Sequence, residues 1–234
     1  MNAIILCGGL STRLGEITKN IPKVLLEIKG KTVLEWQIEK LKAAGVNEVV
    51  LAAGHLAEVL RQEIGEKFGE VDLIHAVEPE RLGTGGAIKH ALKYVGDPGK
   101  PAIILNGDIL STVDLTDMLK YLRPESEGII LGAKVADAAS YGTLEYDDNY
   151  RLKRFKEKEG LRQPGFINGG VYIFNERAKK HFPDHHIFSI EYDIFPRMAD
   201  LDVYESDKPW IDIGVPERLS WAREHWDGDT DFAD

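Results

Sequence analysis

The sequence predicts an α/β domain built on a parallel sheet with helices on both faces. Three observations lead there. Apolar runs at residues 3–7, 48–53, 71–77 and 102–105 have the continuous character of strands buried on both sides. Stretches of helical periodicity separate them, so successive strands are joined by crossover helices. Gly9, Gly54, Gly83 and Asp108 each fall just past an apolar run, where open α/β sheets bind ligands at the carboxyl ends of their strands.

Each element has its own local justification. Residues 31–45 predict a helix: Thr32 and Glu35 form a capping box, Leu34, Ile38 and Leu41 share one face, and Gly45 closes it. Residues 57–68 suit a second helix, and a third starts near Thr84 and runs to about residue 95. After about Arg123 the character changes. Residues 128–135, 143–147, 151–155 and 170–174 are short strand-like runs, with Asp148-Asn149 placed for a hairpin tip. Residues 189–199, limited by Pro196, and 217–226 read as further helices. No Gly-, Ser- or Pro-rich linker divides the chain. We therefore expect one domain over residues 1–226, with halves at about 1–123 and 124–226, and an acidic tail at 227–234.

Composition narrows the function. The chain has 234 residues, 43% hydrophobic and 29% charged, enough for a full core in a globular protein. A net charge of −10 argues against nucleic acid as a partner. Cys7, the single cysteine, excludes an internal disulfide and sits in an apolar run where packing is its natural role. Neither a bilayer-spanning run nor a secretory leader is visible, so the expectation is a cytoplasmic protein with no membrane partner.

The chemistry is concentrated in Leu6-Cys7-Gly8-Gly9-Leu10-Ser11-Thr12-Arg13-Leu14, followed by Pro22-Lys23. A glycine turn after a buried strand lets backbone N–H groups approach phosphate oxygens, and Arg13 and Lys23 add two fixed cations to an acidic chain. Gly8-Gly9 alone would serve equally well as a tight turn. The loop is not the dinucleotide fingerprint, because Leu10 and Arg13 stand where glycines are required. Gly30-Lys31-Thr32 imitates a P-loop end, but the upstream glycine would fall on Leu25.

Three further stations follow. Residues 78–87 hold three glycines in the four positions 83–86; a helix start explains Thr84 but not that glycine density, which suits a loop that a ligand approaches closely. Asn106-Gly107-Asp108 puts a carboxylate beyond the fourth strand, where helix capping is the plain alternative and Mg²⁺ binding the chemical one. Trp210-Ile211-Asp212-Ile213-Gly214 offers a second Asp within an apolar run. His181, His185 and His186 cluster without the partners a zinc site needs, and no nucleophile elbow is present.

The pattern Gly-Gly-x-(Gly/Ser)-x-Arg followed by Pro-Lys resembles the signature of the sugar-1-phosphate nucleotidyltransferases. Ser11 stands where sugar-specific members usually have Gly, and Val24 where many have a second Pro. The resemblance implies a Rossmann-like three-layer sandwich with a mostly parallel, mixed central sheet, of the nucleotide-diphospho-sugar transferase type. It implies Arg13 and Lys23 as catalytic, with Leu6, Gly8, Gly9, Ser11, Thr12, Gly54, Gly83, Thr84 and Gly85 binding nucleotide. By the same resemblance Asp108 and Asp212 hold Mg²⁺. Gly142, Glu157, Lys158, Asn168 and Glu191 would take the sugar phosphate.

The expected substrates are an NTP and a sugar 1-phosphate, giving an NDP-sugar and pyrophosphate, and a homodimer is left open. Leu82-Gly83-Thr84-Gly85-Gly86-Ala87 looks like the guanylyltransferases acting on manno-configured hexose or heptose 1-phosphates. Uridylyl or thymidylyl transfer to glucose-type acceptors remains an alternative. So does a non-catalytic regulatory protein that binds nucleotide sugars. A nucleotide-sugar-consuming glycosyltransferase would need an Asp-x-Asp motif, which Asp200-Leu201-Asp202 imitates just before an apolar strand. No hexapeptide-repeat domain is visible, so acetyl transfer is not expected.

Overall fold

The computed structural model describes residues 1–156 and 162–227. Along the chain the elements are β1 (Asn2–Leu6), β2 (Glu27–Ile28), β3 (Lys31–Thr32), α1 (Val33–Ala43), β4 (Glu48–Ala53), α2 (Ala57–Ile64), β5 (Lys67–Phe68), β6 (Val71–Val77), α3 (Gly83–Ala91), β7 (Ala102–Asn106), β8 (Ile109–Ser111), α4 (Leu115–Lys120), β9 (Gly128–Val135), β10 (Thr143–Tyr146), β11 (Leu152–Lys156), β12 (Gly165–Phe174), β13 (Leu201–Ser206), β14 (Trp210–Asp212) and α5 (Pro216–His225). Among the described residues, ten strands form one mixed sheet in the order β11-β10-β12-β7-β1-β4-β6-β5, with β9 attached to β12 and β13 to β9. The strands β7, β1, β4 and β6 run parallel, and β12 joins β7 antiparallel.

Pleating sorts the apolar runs into two layers of core. Ile5, Leu51 and Leu105 pack on one face with Leu34, Ile38 and Leu41 of α1, Leu60 of α2 and Met118 of α4. Ile4, Val50 and Ile104 pack on the other with Ile88 of α3, Ile190 and Phe195. Both faces are covered, which makes the three-layer sandwich. Each buried Leu or Ile contributes about 1.5–3 kcal/mol, and removing a central one would open a cavity between layers. A third cluster joins Leu14, from the loop after β1, with Ile28, Val33, Leu110, Ile211 and Leu219.

The capping box forms as expected: Glu35 N donates to Thr32 Oγ1 at 3.1 Å, and Thr32 N donates to Glu35 Oε2 at 2.6 Å. Other boundaries differ for local reasons. The helix expected over 57–68 stops at Ile64, because Gly65 takes φ +70° and the chain turns back as β5 against β6. The helix expected over 189–199 is one π-type turn, Ile190–Ile194, and one 3₁₀ turn, Phe195–Arg197, with Pro196 inside. The run at 170–174 is the end of the longer β12, whose pairing with β9 shifts register between Asn168 and Tyr172. The short α4 has too few residues to show a period; Asp114 caps it by accepting from Thr116 N and Asp117 N.

Candidate active site

The site grows from the end of β1. Cys7 N donates to Ala52 O at 2.8 Å, which keeps the chain beside β4 as the strand finishes. Cys7 itself is buried, and burial together with the nearby Glu78 charge raises its thiol pKa far above the ordinary value. It therefore packs and does not react. Gly8 follows in close contact with Gly54: a Cβ on Gly8 would lie 3.2 Å from Gly54 N. Ser11 sits at φ +53°, in the left-handed region that glycine enters freely, which accounts for Gly as the commoner residue at this place in the pattern. Its carbonyl accepts from Leu14 N at 2.9 Å and Thr18 Oγ1 at 3.2 Å, closing the loop onto the following 3₁₀ turns. Gly9, Thr12 and Arg13 are exposed.

Pro22 and Gly107 bring the next pair together. Pro22, with φ −56°, opens a 3₁₀ turn over Lys23–Leu25, and this turn aims Lys23 inward. Gly107 N donates to Leu6 O at 3.1 Å, and a Cβ there would lie 2.3 Å from that oxygen, so only glycine lets the turn lie against β1. Val24, at the place of the second Pro, is buried against the same Gly107. Asp108 thus reaches Lys23, with Nζ to Oδ2 at 2.6 Å and the two side chains 17% and 22% exposed.

The second aspartate arrives by strand pairing. β14 runs antiparallel to β8 with Asp212 opposite Ile109, and Ile213 N donates to Asp108 O at 2.9 Å. Asp212 Oδ1 accepts from Arg218 Nη2 at 2.7 Å and from Gly214 N at 2.9 Å. Arg218 in turn donates to Tyr141 Oη at 2.6 Å, with its guanidinium 5.3 Å from the Tyr141 ring centre. Arg13 Nη2 and Asp212 Oδ1 lie 2.9 and 3.0 Å from where a Cβ on Gly214 would sit. Arg13, Lys23, Asp108 and Asp212 therefore meet at one rim of the sheet. Among the described residues no group of three or more His, Cys, Asp or Glu side chains is gathered to hold a metal ion.

The glycine-lined side of the site continues to α3. Glu78, just past β6, accepts from Leu82 N through Oε2 at 3.1 Å. Its Oε1 lies 2.7 Å from the Cβ position of Gly8 and 3.6 Å from that of Gly54. Burial raises its carboxyl pKa, and the Leu82 N–H bond partly offsets that. Gly83, Gly85 and Gly86 have a reason within the fold besides ligand approach. A Cβ on them would meet Phe188 O at 2.6 Å, the Phe188 ring at 2.4 Å and His186 O at 2.1 Å respectively.

Gly142, Asn168 and Glu191 line one cavity of about 440 Å³ together with Phe155 and Tyr192. Asn168 Oδ1 accepts from Gly170 N at 3.0 Å, and Trp210 Nε1 donates to Gly169 O at 2.8 Å, so residues 168–170 are tied to the strand carrying Asp212. Glu157 and Lys158 lie outside the described residues. Two functional candidates were not singled out from the sequence: Glu78, which shares with Gly54 and Asp108 a place just past a strand end, and Arg218, six residues beyond Asp212 with no local signal. Asp202 is buried in a bidentate pair with Arg123, at 2.6 and 3.0 Å, which leaves the Asp200-Leu201-Asp202 motif a structural role. His181 is bound to the buried Glu127 at 2.8 Å, away from any metal set.

Comparison with known proteins bears on this geometry. Residues 2–226 match the family model described as nucleotidyl transferase. A D-glycero-alpha-D-manno-heptose 1-phosphate guanylyltransferase of Campylobacter jejuni is 38% identical over 219 residues, covering 93% of this chain and 96% of that protein. A mannose-1-phosphate guanylyltransferase catalytic subunit beta of Danio rerio is 36% identical over 226 residues, and the match spans 93% of this chain but only 62% of that longer protein. The crystal structure of HddC from Yersinia pseudotuberculosis complexed with GMP-PN superposes with a TM-score of 0.84 at 32% identity, covering 95% of this chain and 98% of that one.

Proposed function

Because the chain belongs to the nucleotidyl transferase family, as a sugar-1-phosphate nucleotidyltransferase, we propose that it transfers a guanylyl group from GTP to a manno-configured hexose or heptose 1-phosphate, releasing pyrophosphate. The guanylyltransferase relatives support the nucleotide. The observation that carries it is Glu78, whose carboxylate stands at the small-residue mouth formed by Gly8 and Gly54. An ionised carboxylate only accepts hydrogen bonds. Guanine offers it two adjacent donors, N1–H and the N2 amino group. Uracil and thymine offer one N–H between two carbonyls, and adenine and cytosine an amino group beside an acceptor nitrogen. Against those bases Glu78 would face an unpaired acceptor, which is discrimination by repulsion as well as by attraction.

The remaining roles follow from charge. The sugar phosphate oxygen attacks the α-phosphorus in line as pyrophosphate leaves, and the nucleophile is already ionised. Positioning and charge stabilisation therefore carry the rate, with little proton transfer. Arg13, exposed at the loop, stabilises the leaving pyrophosphate, and Lys23 the α-phosphate and incoming phosphate. Asp108, in the turn just before β8, and Asp212, on β14 paired with β8, are two hard carboxylates, the donor set Mg²⁺ takes alongside water and phosphate oxygens. They would hold that ion, which supplies neutralisation of the triphosphate. Arg218 keeps Asp212 oriented. The sugar lies in the cavity lined by Gly142, Asn168 and Glu191.

No helix among the described residues is long and apolar enough to cross a membrane. The deciding experiment is a pyrophosphate-release panel with Mg²⁺, crossing GTP, UTP, dTTP, CTP and ATP with mannose, manno-heptose and glucose 1-phosphates. The reading expects GTP with a manno-configured acceptor to dominate. Release only with UTP or dTTP would overturn the base assignment, and no release from any pair would favour a binding protein without turnover.

A further inference from the structure

A second groove lies on the opposite rim of the sheet from the phosphate loop. The antiparallel joins of β12 to β7 and of β9 to β12 set β9, and β13 beside it, parallel to β7. Gly8 and Asp108 stand past the carboxyl ends of β1 and β7, whereas this groove opens toward the amino-terminal ends of β9 and β13, where the chain leaves α4. It encloses about 520 Å³ and is lined by Tyr121, Arg123, Asn149, Tyr150, Asp202 and Tyr204 among others. Two of its tyrosines face solvent, Tyr121 at 60% exposed and Tyr150 at 52%. Tyr121 packs edge-to-face on Tyr204 at 5.3 Å, and Tyr150 stacks on Tyr146 at 6.1 Å, so both rings are held as walls. Folding alone does not favour a tyrosine at residue 150. It takes φ +60° in the hairpin turn between β10 and β11, a left-handed position that Gly or Asn fills at lower cost. Its carbonyl is fixed by Val203 N at 2.7 Å, and Asp147 Oδ1 accepts from Asn149 N and Arg151 N, both at 3.0 Å. Strain kept in this way beside a cleft is a mark of a side chain that the cleft uses.

The charges around the groove are already matched. Arg123 is bound to Asp202 and Glu125, Lys120 to Asp117, and Tyr146 donates to Glu205. An ionic ligand would have to break the Arg123 pair with the buried Asp202, which is costly. Arg123 and Lys120 also repel an organic cation that tyrosine rings would otherwise attract. What is left open is ring surface and the Asn149 amide, which has no partner among the described residues. Aromatic faces beside a neutral hydrogen-bonding group suit a pyranose, whose C–H face lies on a ring while its hydroxyls exchange hydrogen bonds at the edge. We propose that this groove is a saccharide-binding site separate from the acceptor cavity, in which Tyr121 and Tyr150 carry the rings of a neutral oligosaccharide and Asn149 bonds a hydroxyl. The site uses neither nucleotide nor metal, so it stands or falls apart from the reaction proposed above.

The test titrates the full chain with mannotriose, maltotriose and choline by calorimetry, for the parent, Tyr121→Ala, Tyr150→Gly and Asn149→Ala. Urea unfolding and pyrophosphate release are measured on each protein. The parent should bind at least one trisaccharide, with no competition from saturating mannose 1-phosphate, and should not bind choline. Tyr121→Ala and Tyr150→Gly should each weaken that binding at least about tenfold, and Asn149→Ala about two- to tenfold. Tyr150→Gly should do so with a urea midpoint no lower than the parent's, because glycine enters φ +60° freely. Pyrophosphate release should stay at the parent rate in all three. Absence of trisaccharide binding, binding of choline instead, or an affinity untouched by both tyrosine changes overturns the site. Competition by mannose 1-phosphate does the same, since it would put the sugar in the acceptor cavity. A Tyr150→Gly protein that is less stable but binds as the parent does would assign that ring to packing and overturn its role.

Discussion

Replacing Glu78 by Gln tests the base assignment with almost no change of shape. The carboxylate sits at the Gly8–Gly54 mouth, anchored through Oε2 by Leu82 N at 3.1 Å. Gln keeps one acceptor but turns an N–H₂ toward one of guanine's donors. A hydrogen bond to a charged group contributes about 1.5–3 kcal/mol, which is about a 10- to 150-fold loss in kcat/KM for GTP. The same amide presents a donor beside an acceptor, the complement of a uracil edge, so kcat/KM for UTP should rise relative to GTP. Pyrophosphate-coupled kinetics at saturating mannose 1-phosphate measure both. The acid limb adds a second readout. The carboxyl must be ionised to accept, and burial raises its pKa, so GTP use should begin to fall at a pH above that of an ordinary glutamate. That limb should be missing from Glu78→Gln. A folded variant with an unchanged GTP-to-UTP ratio would refute the argument.

Other perturbations separate chemistry from packing. Lys23→Ala should lower turnover about a hundredfold or more, in the range of a lost oxyanion donor; near-normal pyrophosphate release by the purified variant would remove Lys23 from the mechanism. Gly86→Ala puts a methyl 2.1 Å from His186 O and should cost about 1–3 kcal/mol in urea unfolding, whereas an unchanged midpoint would mean the α3 contact is not tight. Burial lowers Lys40 to about 7 from 10.5, beside a bond from its Nζ to Ser111 O at 2.6 Å. Between those pH values the unfolded chain binds a proton the native state has lost, so parent stability gains from this group as pH rises from about 7 to 10.5. Lys40→Met removes that gain. The variant's Tm relative to the parent should therefore decline over this window, and a constant difference would contradict the burial argument.

Local patterns located the parallel strands and the start of α1 but overran at the helices expected over 57–68 and 189–199. Continuous apolar runs gave the four parallel strands their places, and Thr32 with Glu35 marked the start of α1 as it occurs. The convergence of Gly8, Lys23 and Asp108 was approachable because each follows a strand end or a Pro-set turn, whereas Asp212 lies inside an apolar run and was pointed to by the family resemblance. Long-range contacts were hidden. Three glycines in 83–86 read as room for a ligand, yet each also meets a segment about a hundred residues away that no local pattern reveals. Arg218 supports Asp212 only because α5 folds back over β14. Glu78 was visible as a residue past a strand, but its aim depends on how Gly8 and Gly54 pack, which is a tertiary fact.

The central claim is that a sugar phosphate oxygen attacks the α-phosphorus of the nucleotide held between Arg13, Lys23, Asp108 and Asp212. Mannose 1-phosphate labelled with ¹⁸O at its non-bridging phosphate oxygens, reacted with GTP and Mg²⁺, tests this most directly by mass spectrometry of the products. All of the label should leave in the GDP-sugar, one atom of it bridging the two phosphorus atoms, with unlabelled pyrophosphate. Label in the pyrophosphate, or a sugar product lacking it, would contradict the account.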